Sequence, residues 1–382
     1  MKKCFGVLGL LGVLFAAAAC KQEVQPSSVI FGQAAVQDEA DYDLADIQAS
    51  GELIAATLSG PDTYYEYRGE GFGVEFEMAR SFASHIGTRL RIEVVQDSTA
   101  LMQKLTAGEA DLALTTDLWR TRPNSPQLRA ALQAWWKPEL REQTRLRDNR
   151  RQSVARRSRL RPRAPMISRE QGIISSYDDL FRRHASTARM DWRLLAAQCY
   201  QESAFDPKAV SWAGAQGLMQ IMPATAAHLG VSPSAVFDPA QNIAAAARYL
   251  AELQATFADV REGTERLCFV LAAYNGGASH VRDAMALAQR HGGDPHRWND
   301  VNRYILLLSN PQYYRDPVVK AGYLRGSETS TYVAQILARW AQYRGSARGA
   351  SPMAAPAAPR GGAKSRNPHV RSREEFLNDS LR

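Results

Sequence analysis

Cysteine and histidine are scarce in this chain, with four and seven among 382 residues. His184, His228, His280, His291 and His296 show no ligand spacing with cysteine or acidic residues. We therefore interpret these histidines as surface or capping residues and predict neither a metal site nor a cofactor. Hydrophobic content of 45% and charged content of 23% are ordinary for a globular protein, and the length suggests two or three domains.

The longest apolar run at the N-terminus is also short. It covers residues 5–19, follows Lys2 and Lys3, and has too few residues for a comfortable membrane-spanning helix. It ends in Ala-Ala-Ala-Ala-Cys, which resembles a bacterial lipoprotein signal, so residues 1–20 are predicted to be a signal peptide with lipid attached at Cys20. A plain secretory signal is the alternative. Lys21, where an aspartate would resemble an inner-membrane retention signal, favours the periplasmic face of the outer membrane.

Removal of this signal leaves Cys199 and Cys268 in an oxidising compartment. They either pair or remain two buried free thiols, and their spacing does not decide between these states.

Residues 21–45 are polar and are interpreted as a tether. Residues 46–140 then alternate strand-like and helix-like segments, with strands predicted at 52–58, 89–95 and 111–115, and helices at 73–86, 99–107 and 125–136. This βαβαβ order predicts an α/β lobe with a mostly parallel sheet.

The segments GELIAATL, GFGVEFEMARSFASHIG and ALMQKLTAGEADLALT resemble the first lobe of periplasmic solute-binding proteins. That family has a second lobe, and its ligand lies in the cleft between the two. Here only a few residues separate Thr116 from Pro126, so the second lobe is missing. A spacer, or a docking surface for an envelope protein or peptide, is therefore favoured over solute binding.

Residues 141–172 form a linker that is rich in arginine, with ten arginines in residues 141–163. A basic run can indicate nucleic-acid binding, but the export signal before it argues against nucleic acid as a partner. Phospholipid headgroups, another envelope polyanion or a merely soluble linker remain the alternatives. Residues 345–382 are predicted to be a disordered tail, since the stretch to about residue 372 is rich in Ala, Pro and Gly.

Residues 173–344 show a helical period throughout and predict an all-α domain, so the whole chain is predicted to be a multidomain α+β protein. The main predicted helices are 192–201, 223–229, 241–257, 265–274, 278–289 and 331–343.

Glu202 recurs with Leu195 and Cys199 on the apolar face of one predicted helix. No lysine or arginine lies one turn away on that face. Burial without a cation keeps a carboxyl group protonated near neutral pH, which is what a general acid requires. The alternative is an ordinary carboxylate at a helix end.

Several later residues would suit a sugar ring. Gln220 lies among apolar residues after Gly217, and Tyr274 with Asn275 ends a helix before a glycine. An aromatic face and an amide can stack on a sugar and bond its hydroxyls. Each residue taken alone is also explained as core or as a helix cap.

Four ordered motifs, namely ES at residue 202, GLMQIMP, AYNGG and ETSTYV, resemble the soluble-lytic-transglycosylase (SLT) family over residues 177–343. With the upstream lobe and the lipoprotein signal, the chain looks like the membrane-bound lytic murein transglycosylase F group. The resemblance implies a lysozyme-like catalytic domain with Glu202 as the single catalytic acid and base. The substrate-binding positions that it implies are Ser211, Gln220, Met222, Tyr274, Asn275 and Tyr332, while Ser203 and Glu328 look structural.

The implied substrate is a peptidoglycan glycan strand, cut between N-acetylmuramic acid and N-acetylglucosamine without water to leave a 1,6-anhydro end in cell wall remodelling. No second acid occupies a motif position, whereas ordinary glycosidases use two carboxylates. The alternatives are a goose-type lysozyme-like muramidase that uses water, and a non-catalytic peptidoglycan-binding or sensing lipoprotein.

Overall fold

The structure is a computed structural model that describes residues 42–147 and 166–346. The predicted signal peptide with Cys20, most of the tether, much of the arginine-rich linker and the tail lie outside these residues. No helix in the two described ranges is long and apolar enough to cross a membrane.

The first described range is an α/β lobe. Its strands are β1 (Glu52–Leu58), β2 (Tyr65–Tyr67), β3 (Glu70–Phe72), β4 (Arg89–Val95), β5 (Leu112–Leu114) and β6 (Trp119–Thr121). Its helices are α1 (Leu44–Ser50), α2 (Val74–His85), α3 (Ser98–Thr106), α4 (Pro126–Trp135) and α5, which is described over residues 139–147. The predicted strands and helices of this region are confirmed to within one or two residues at each end.

The main sheet has the order β4-β1-β5-β6. Strand β1 pairs in parallel with β4 and β5, and β6 returns antiparallel beside β5. The predicted mostly parallel sheet is therefore confirmed. Between β5 and β6 the chain turns back at once, with the Thr115 hydroxyl donating to the Leu118 carbonyl oxygen over 2.7 Å. Only four residues separate β5 from β6.

Order in the lobe begins before residue 46. Asp43 caps α1 in a capping box, and its carboxylate also accepts from the backbone N–H groups of Gln127 and Leu128 at the start of α4, each over 2.8 Å. Ile47 of α1 is fully buried in the lobe core. The end of the predicted tether is thus part of the folded lobe.

Strands β2 and β3 form a separate antiparallel hairpin that the sequence analysis did not predict. We call residues 65–72 the plug hairpin. Tyr67 pairs with Glu70, so its turn consists of Arg68 and Gly69.

The second described range is helical, with isolated β-bridges but no strand among its described residues. Its helices are α6 (Asp178–Ala188), α7 (Trp192–Ser203), α8 (Pro223–His228), α9 (Pro239–Thr256), α10 (Gly263–Gly276), α11 (Ala278–Arg290), α12 (Trp298–Leu307), α13 (Pro311–Tyr314) and α14 (Gly326–Ser346). The predicted helices are confirmed, while α6, α12 and α13 were not specified. The core of this domain extends from Met166 to Tyr343, so ordered packing begins before residue 173.

The two ranges contact each other at the carboxyl ends of β1 and β4. The backbone N–H of Tyr323 donates to Ser59 Oγ over 2.8 Å, and Gln96 Nε2 donates to the Val319 carbonyl oxygen over 3.4 Å. In α/β sheets this edge is where ligands bind. Here the helical domain of the same chain covers it.

Candidate active site

Helix α7 brings Glu202 into the interior. Asp191 caps the helix by accepting from the backbone N–H of Arg193, and every residue from Trp192 to Cys199 is buried. Glu202, at the other end of the helix, is 6% exposed. The predicted inward direction of Glu202 is confirmed.

Tyr332 of α14 donates its phenolic hydrogen to Glu202 Oε1 over 2.6 Å. Gln198, one turn before Glu202, donates to the same phenolic oxygen over 3.2 Å. Burial, and then the negative charge of Glu202, raise the pKa of Tyr332 well above its ordinary value. The phenol therefore stays protonated and orients the carboxylate.

The expectation that no cation lies near Glu202 is wrong. Arg68, at the tip of the plug hairpin, donates from Nη2 to Glu202 Oε1 over 3.1 Å and to Oε2 over 2.9 Å. The two side chains are 6% and 1% exposed. The cation comes from 134 residues earlier in the chain, so inspection of one helical face could not find it.

Burial alone would lower the pKa of Arg68, but the charge of Glu202 and the hydrogen bonds to it outweigh burial and raise that pKa well above its ordinary value. The guanidinium therefore stays charged in this arrangement. Both Glu202 carboxylate oxygens accept hydrogen bonds from it, so in this arrangement Glu202 is not positioned to donate a proton to a substrate.

The loop that follows α7 folds back over Glu202 by means of Gly217 and Asn242. Gly217 has φ +75°, and a Cβ there would lie 2.5 Å from Asn242 Nδ2. Asn242 is fully buried, accepts from the backbone N–H of Met219 over 2.8 Å, and donates to the Val236 carbonyl oxygen over 2.7 Å. One amide from α9 thus fixes the loop that carries Gln220.

Gln220 lies beside the ion pair through its backbone. Its carbonyl oxygen accepts from Arg68 Nη1 over 3.2 Å. Its side chain is 4% exposed and donates to the carbonyl oxygens of Ala209 and Gly217 over 3.1 and 3.0 Å. The amide nitrogen therefore stabilises the loop in this state.

Tyr274 and Asn275, at the end of α10, bind to neighbouring elements in the same way. The Tyr274 hydroxyl donates to the Met219 carbonyl oxygen over 2.8 Å, and Asn275 Oδ1 accepts from the Thr329 hydroxyl over 2.9 Å. Both residues are 5% exposed. They join the loop and α14 to the helix that faces Glu202.

The other predicted site residues lie at the edges of this arrangement. Ser211 is half-buried and accepts from the backbone N–H of Ala215 over 2.9 Å, while Met222 is buried at the start of α8. Ser203 donates to the Cys199 carbonyl oxygen, and Glu328 lies 3.9 Å from Arg325. No hydrogen bond described in the structure joins any of the four to Glu202.

Cys199 and Cys268 are free and buried. Burial is the main cause that raises the pKa of both thiols, that of Cys268 to about 12. Of the two states that the sequence left open, the structure has the free thiols.

His280 contradicts the interpretation of the histidines as surface or capping residues. It is 1% exposed on α11, and burial lowers its pKa to about 4. Neither ring nitrogen makes a hydrogen bond of ordinary geometry, although the backbones of Glu66 and Gly322 are close. The described residues contain no cluster of His, Cys, Asp or Glu that could hold a metal ion.

Comparison with protein families identifies the helical domain. Residues 179–296, which include Glu202, the glycine loop and the Tyr274–Asn275 pair, match the model of the transglycosylase SLT domain. Three of the four motifs, all except ETSTYV, lie within the matched residues, and the resemblance to this family is confirmed there.

The alignments with curated relatives are of two kinds, short ones at higher identity and a long one at lower identity. A membrane-bound lytic murein transglycosylase F from Desulfosudis oleivorans is 44% identical over 158 residues, which are 41% of this chain and 34% of the relative. One from Citrobacter koseri is 27% identical over an alignment of 451 positions, with 86% of this chain and 84% of the relative. Since that alignment is longer than this chain, the relative has residues without a counterpart here.

Among solved structures, the 70 kDa soluble lytic transglycosylase of Escherichia coli matches with a TM-score of 0.32 and 31% identity, over 44% of this chain and 24% of that one. The chain spans about a third of the length of several curated relatives that it matches.

Three residues of the candidate site were not predicted from the sequence, namely Arg68, Asn242 and Trp212. Trp212 lies in the loop after α7 and packs on the plug hairpin. Only Arg68 left a signal, because Tyr-Glu-Tyr-Arg-Gly-Glu-Gly-Phe alternates large and small side chains around a two-residue turn.

Proposed function

We propose that this protein is a peptidoglycan lytic transglycosylase whose acid and base is Glu202. The observation that carries the proposal is a buried carboxylate, oriented by Tyr332, within an SLT domain. No other Asp or Glu side chain is hydrogen-bonded to Tyr332 or Arg68 among the described residues. One carboxylate suffices when the substrate supplies its own nucleophile, unlike the two-carboxylate arrangement of most glycosidases.

In the reaction, protonated Glu202 donates its proton to the oxygen between N-acetylmuramic acid and N-acetylglucosamine. The bond from that oxygen to the muramic anomeric carbon breaks, and its electron pair stays on the leaving oxygen. The Glu202 carboxylate then accepts the proton of the muramic 6-hydroxyl, whose oxygen bonds to the anomeric carbon. The product is a 1,6-anhydro end, and no water is consumed.

The test is mass spectrometry of murein sacculi digested with the full chain, with Glu202→Gln and with Glu252→Gln, whose carboxylate is exposed. We expect anhydro ends from the wild type and Glu252→Gln, and a rate at least about 10²-fold lower for Glu202→Gln, since general acid–base catalysis contributes about 10²–10⁴. Reducing ends would instead identify a muramidase that uses water.

The ion pair between Arg68 and Glu202 favours a second candidate, a peptidoglycan-binding or sensing protein without catalysis. The digestion therefore includes Arg68→Gln, which frees Glu202. If neither the wild type nor Arg68→Gln releases any muropeptide, transglycosylase activity is wrong and the binding protein is favoured.

We further propose that lipid on Cys20 anchors the protein at the periplasmic face of the outer membrane. The murein strand would be its substrate there. The alanine run before Cys20 and Lys21 after it support this location. Labelling with radioactive palmitate should mark the wild type and not Cys20→Ala. Unlabelled wild type, or protein found in inner-membrane fractions, would contradict the proposal.

A further inference from the structure

The plug hairpin has a turn that is unusual for its sequence. Arg68 and Gly69 both have positive φ, 55° and 81°, which is the pattern of a two-residue type I′ turn. Asn, Asp or Gly favours the first position of this turn, whereas a long side chain there is strained. An arginine is thus held at the tip in a conformation that its own backbone does not favour.

The tip enters the groove at Glu202. Arg68 binds both carboxylate oxygens and the Gln220 carbonyl oxygen, and the side chains of the ion pair are almost completely buried. Its Nε is buried and has no hydrogen-bond partner among the described residues. A buried donor without a partner destabilises the fold, so this contact is not the best arrangement for stability alone.

Aromatic residues hold the sides of the plug hairpin. Tyr67 stacks on Trp212 with 5.7 Å between ring centroids, and Phe72 packs on the same indole at 4.9 Å. Tyr65 packs edge-on against Tyr323 at 5.5 Å. Both strands of the hairpin therefore contact the SLT domain, on surfaces to each side of the ion pair.

We infer that the plug hairpin is an intramolecular inhibitor that occupies the substrate groove of its own chain. This inference rests on the proposed function. While Arg68 binds Glu202, the guanidinium stands where the glycosidic oxygen must accept a proton, and the hairpin covers Trp212. A glycan strand therefore enters only after the hairpin leaves the groove.

The inhibition also gives the α/β lobe a role that does not need a second lobe. The sheet edge that would bind a solute is joined to the SLT domain through Ser59 and Gln96. The plug hairpin extends from this docked lobe to Glu202. The partner of the lobe is thus the catalytic domain of the same chain.

The first test measures the rate of muropeptide release by the full chain with Arg68→Gln and Arg68→Lys. The matched control is Arg80→Gln, which removes an arginine from the same lobe where its side chain is 58% exposed. We expect Arg68→Gln to be at least about tenfold faster than the wild type, because charge-assisted hydrogen bonds favour the closed state by about that factor or more. Arg68→Lys should fall between them and Arg80→Gln should match the wild type. An Arg68→Gln variant as slow as the wild type, or slower, overturns the inference.

The second test needs no activity and separates the inference from the proposed function. Trypsin cleaves after Arg68 only when that side chain is accessible, and mass spectrometry detects the new N-terminus at Gly69. Cleavage there should be slow in the wild type and in Glu252→Gln, and at least about tenfold faster in Glu202→Gln and Trp212→Ala. Equal cleavage in all four proteins means that the hairpin is not held by the groove. If trypsin cleaves slowly after Arg68 but no variant releases muropeptides, the hairpin is docked in the groove. Both the proposed function and its inhibition by the hairpin would then be wrong.

Discussion

Helix α7 carries a buried arginine–carboxylate pair at each end, and the two pairs differ in where their arginine comes from. At the N-terminal end Arg193 donates to Asp191 over 2.9 Å, and at the C-terminal end Arg68 donates to Glu202 over the same distance. All four side chains are at most 6% exposed. The first pair joins residues two apart in the chain, and the second joins residues 134 apart.

The local pair is surrounded by further bonds. Asp191 also accepts from the backbone N–H of Arg193 and from Trp340 Nε1, over 3.0 Å each. It therefore caps α7 and joins it to α14, and its loss would leave several buried donors without a partner. The long-range pair joins two separate cores, so its arginine can leave without unfolding either one. One pair builds the helix, and the other blocks its functional end.

The largest expected effect on stability follows from this difference. Asp191→Asn should lower the free energy of unfolding by about 3 kcal/mol or more, because it removes the buried charge that accepts from the Arg193 guanidinium and from Trp340 Nε1. Glu202→Gln should lower it by less than about 1 kcal/mol, because Arg68 can move into water with the plug hairpin. Urea unfolding of the two variants beside the wild type measures both values. Equal losses would mean that the plug hairpin is as much a part of the fold as the cap of α7.

The second contrast concerns pH at the junction of the lobe and the SLT domain, where buried His280 lies close to Glu66. The pKa of His280 is about 4 in the folded protein, below the ordinary histidine pKa of about 6.5. As pH falls, His280 binds a proton in the unfolded chain before it does so in the folded protein. The contribution of neutral His280 to the free energy of unfolding is therefore complete above about pH 6.5 and is lost toward pH 4. Since one pKa unit corresponds to about 1.36 kcal/mol, the difference between the two pKa values corresponds to a loss of about 3 kcal/mol in the free energy of unfolding.

Urea unfolding at a series of pH values, with His280→Leu as the variant that cannot titrate, tests this expectation. The wild type should lose stability more steeply than the variant between pH 6.5 and 4. Parallel curves would show that His280 binds a proton as readily in the folded protein as in the unfolded chain.

The smallest effect should come from Tyr332→Phe, which removes one hydrogen bond to Glu202 and keeps the ring. Loss of a hydrogen bond to a charged group corresponds to about 1.5–3 kcal/mol, or about tenfold or more in the rate of murein cleavage. Stability should change less, since the ring stays packed in the core. Tyr343→Phe, which alters another buried tyrosine of α14, is the comparison variant. A rate equal to that of the wild type would remove Tyr332 from the role of orienting Glu202.

Local patterns in the sequence were sufficient for most of the fold and for the direction of Glu202. Strands 52–58 and 89–95 agree with the structure at both ends, because a short apolar or alternating run between turn residues has few other solutions. Helix α7 was predicted from its helical period. The glycine loop and the Tyr274–Asn275 pair were found from motifs, although Ser211 and Met222 have no described bond to Glu202.

The contact of Arg68 with Glu202 could not be predicted from such patterns. The partner of Arg68 lies in another domain, and nothing in the period of either segment records which residues meet after folding. The burial of His280 escaped for the same reason, because residues 66 and 322, which lie far apart in the chain, come close to it. Residues within one element were predictable, whereas contacts between the lobe and the SLT domain were not.

Because Arg68 and Glu202 belong to one polypeptide, their association is a unimolecular equilibrium. The fraction of molecules with an occupied groove is then the same at any protein concentration, and dilution cannot release the plug hairpin. A partner on the same chain acts at an effective concentration that reaches the order of millimolar, so a free guanidinium compound or a weak glycan ligand must approach that range to compete. A dense, polymeric glycan that presents many chain segments at once meets this requirement more readily than a soluble fragment.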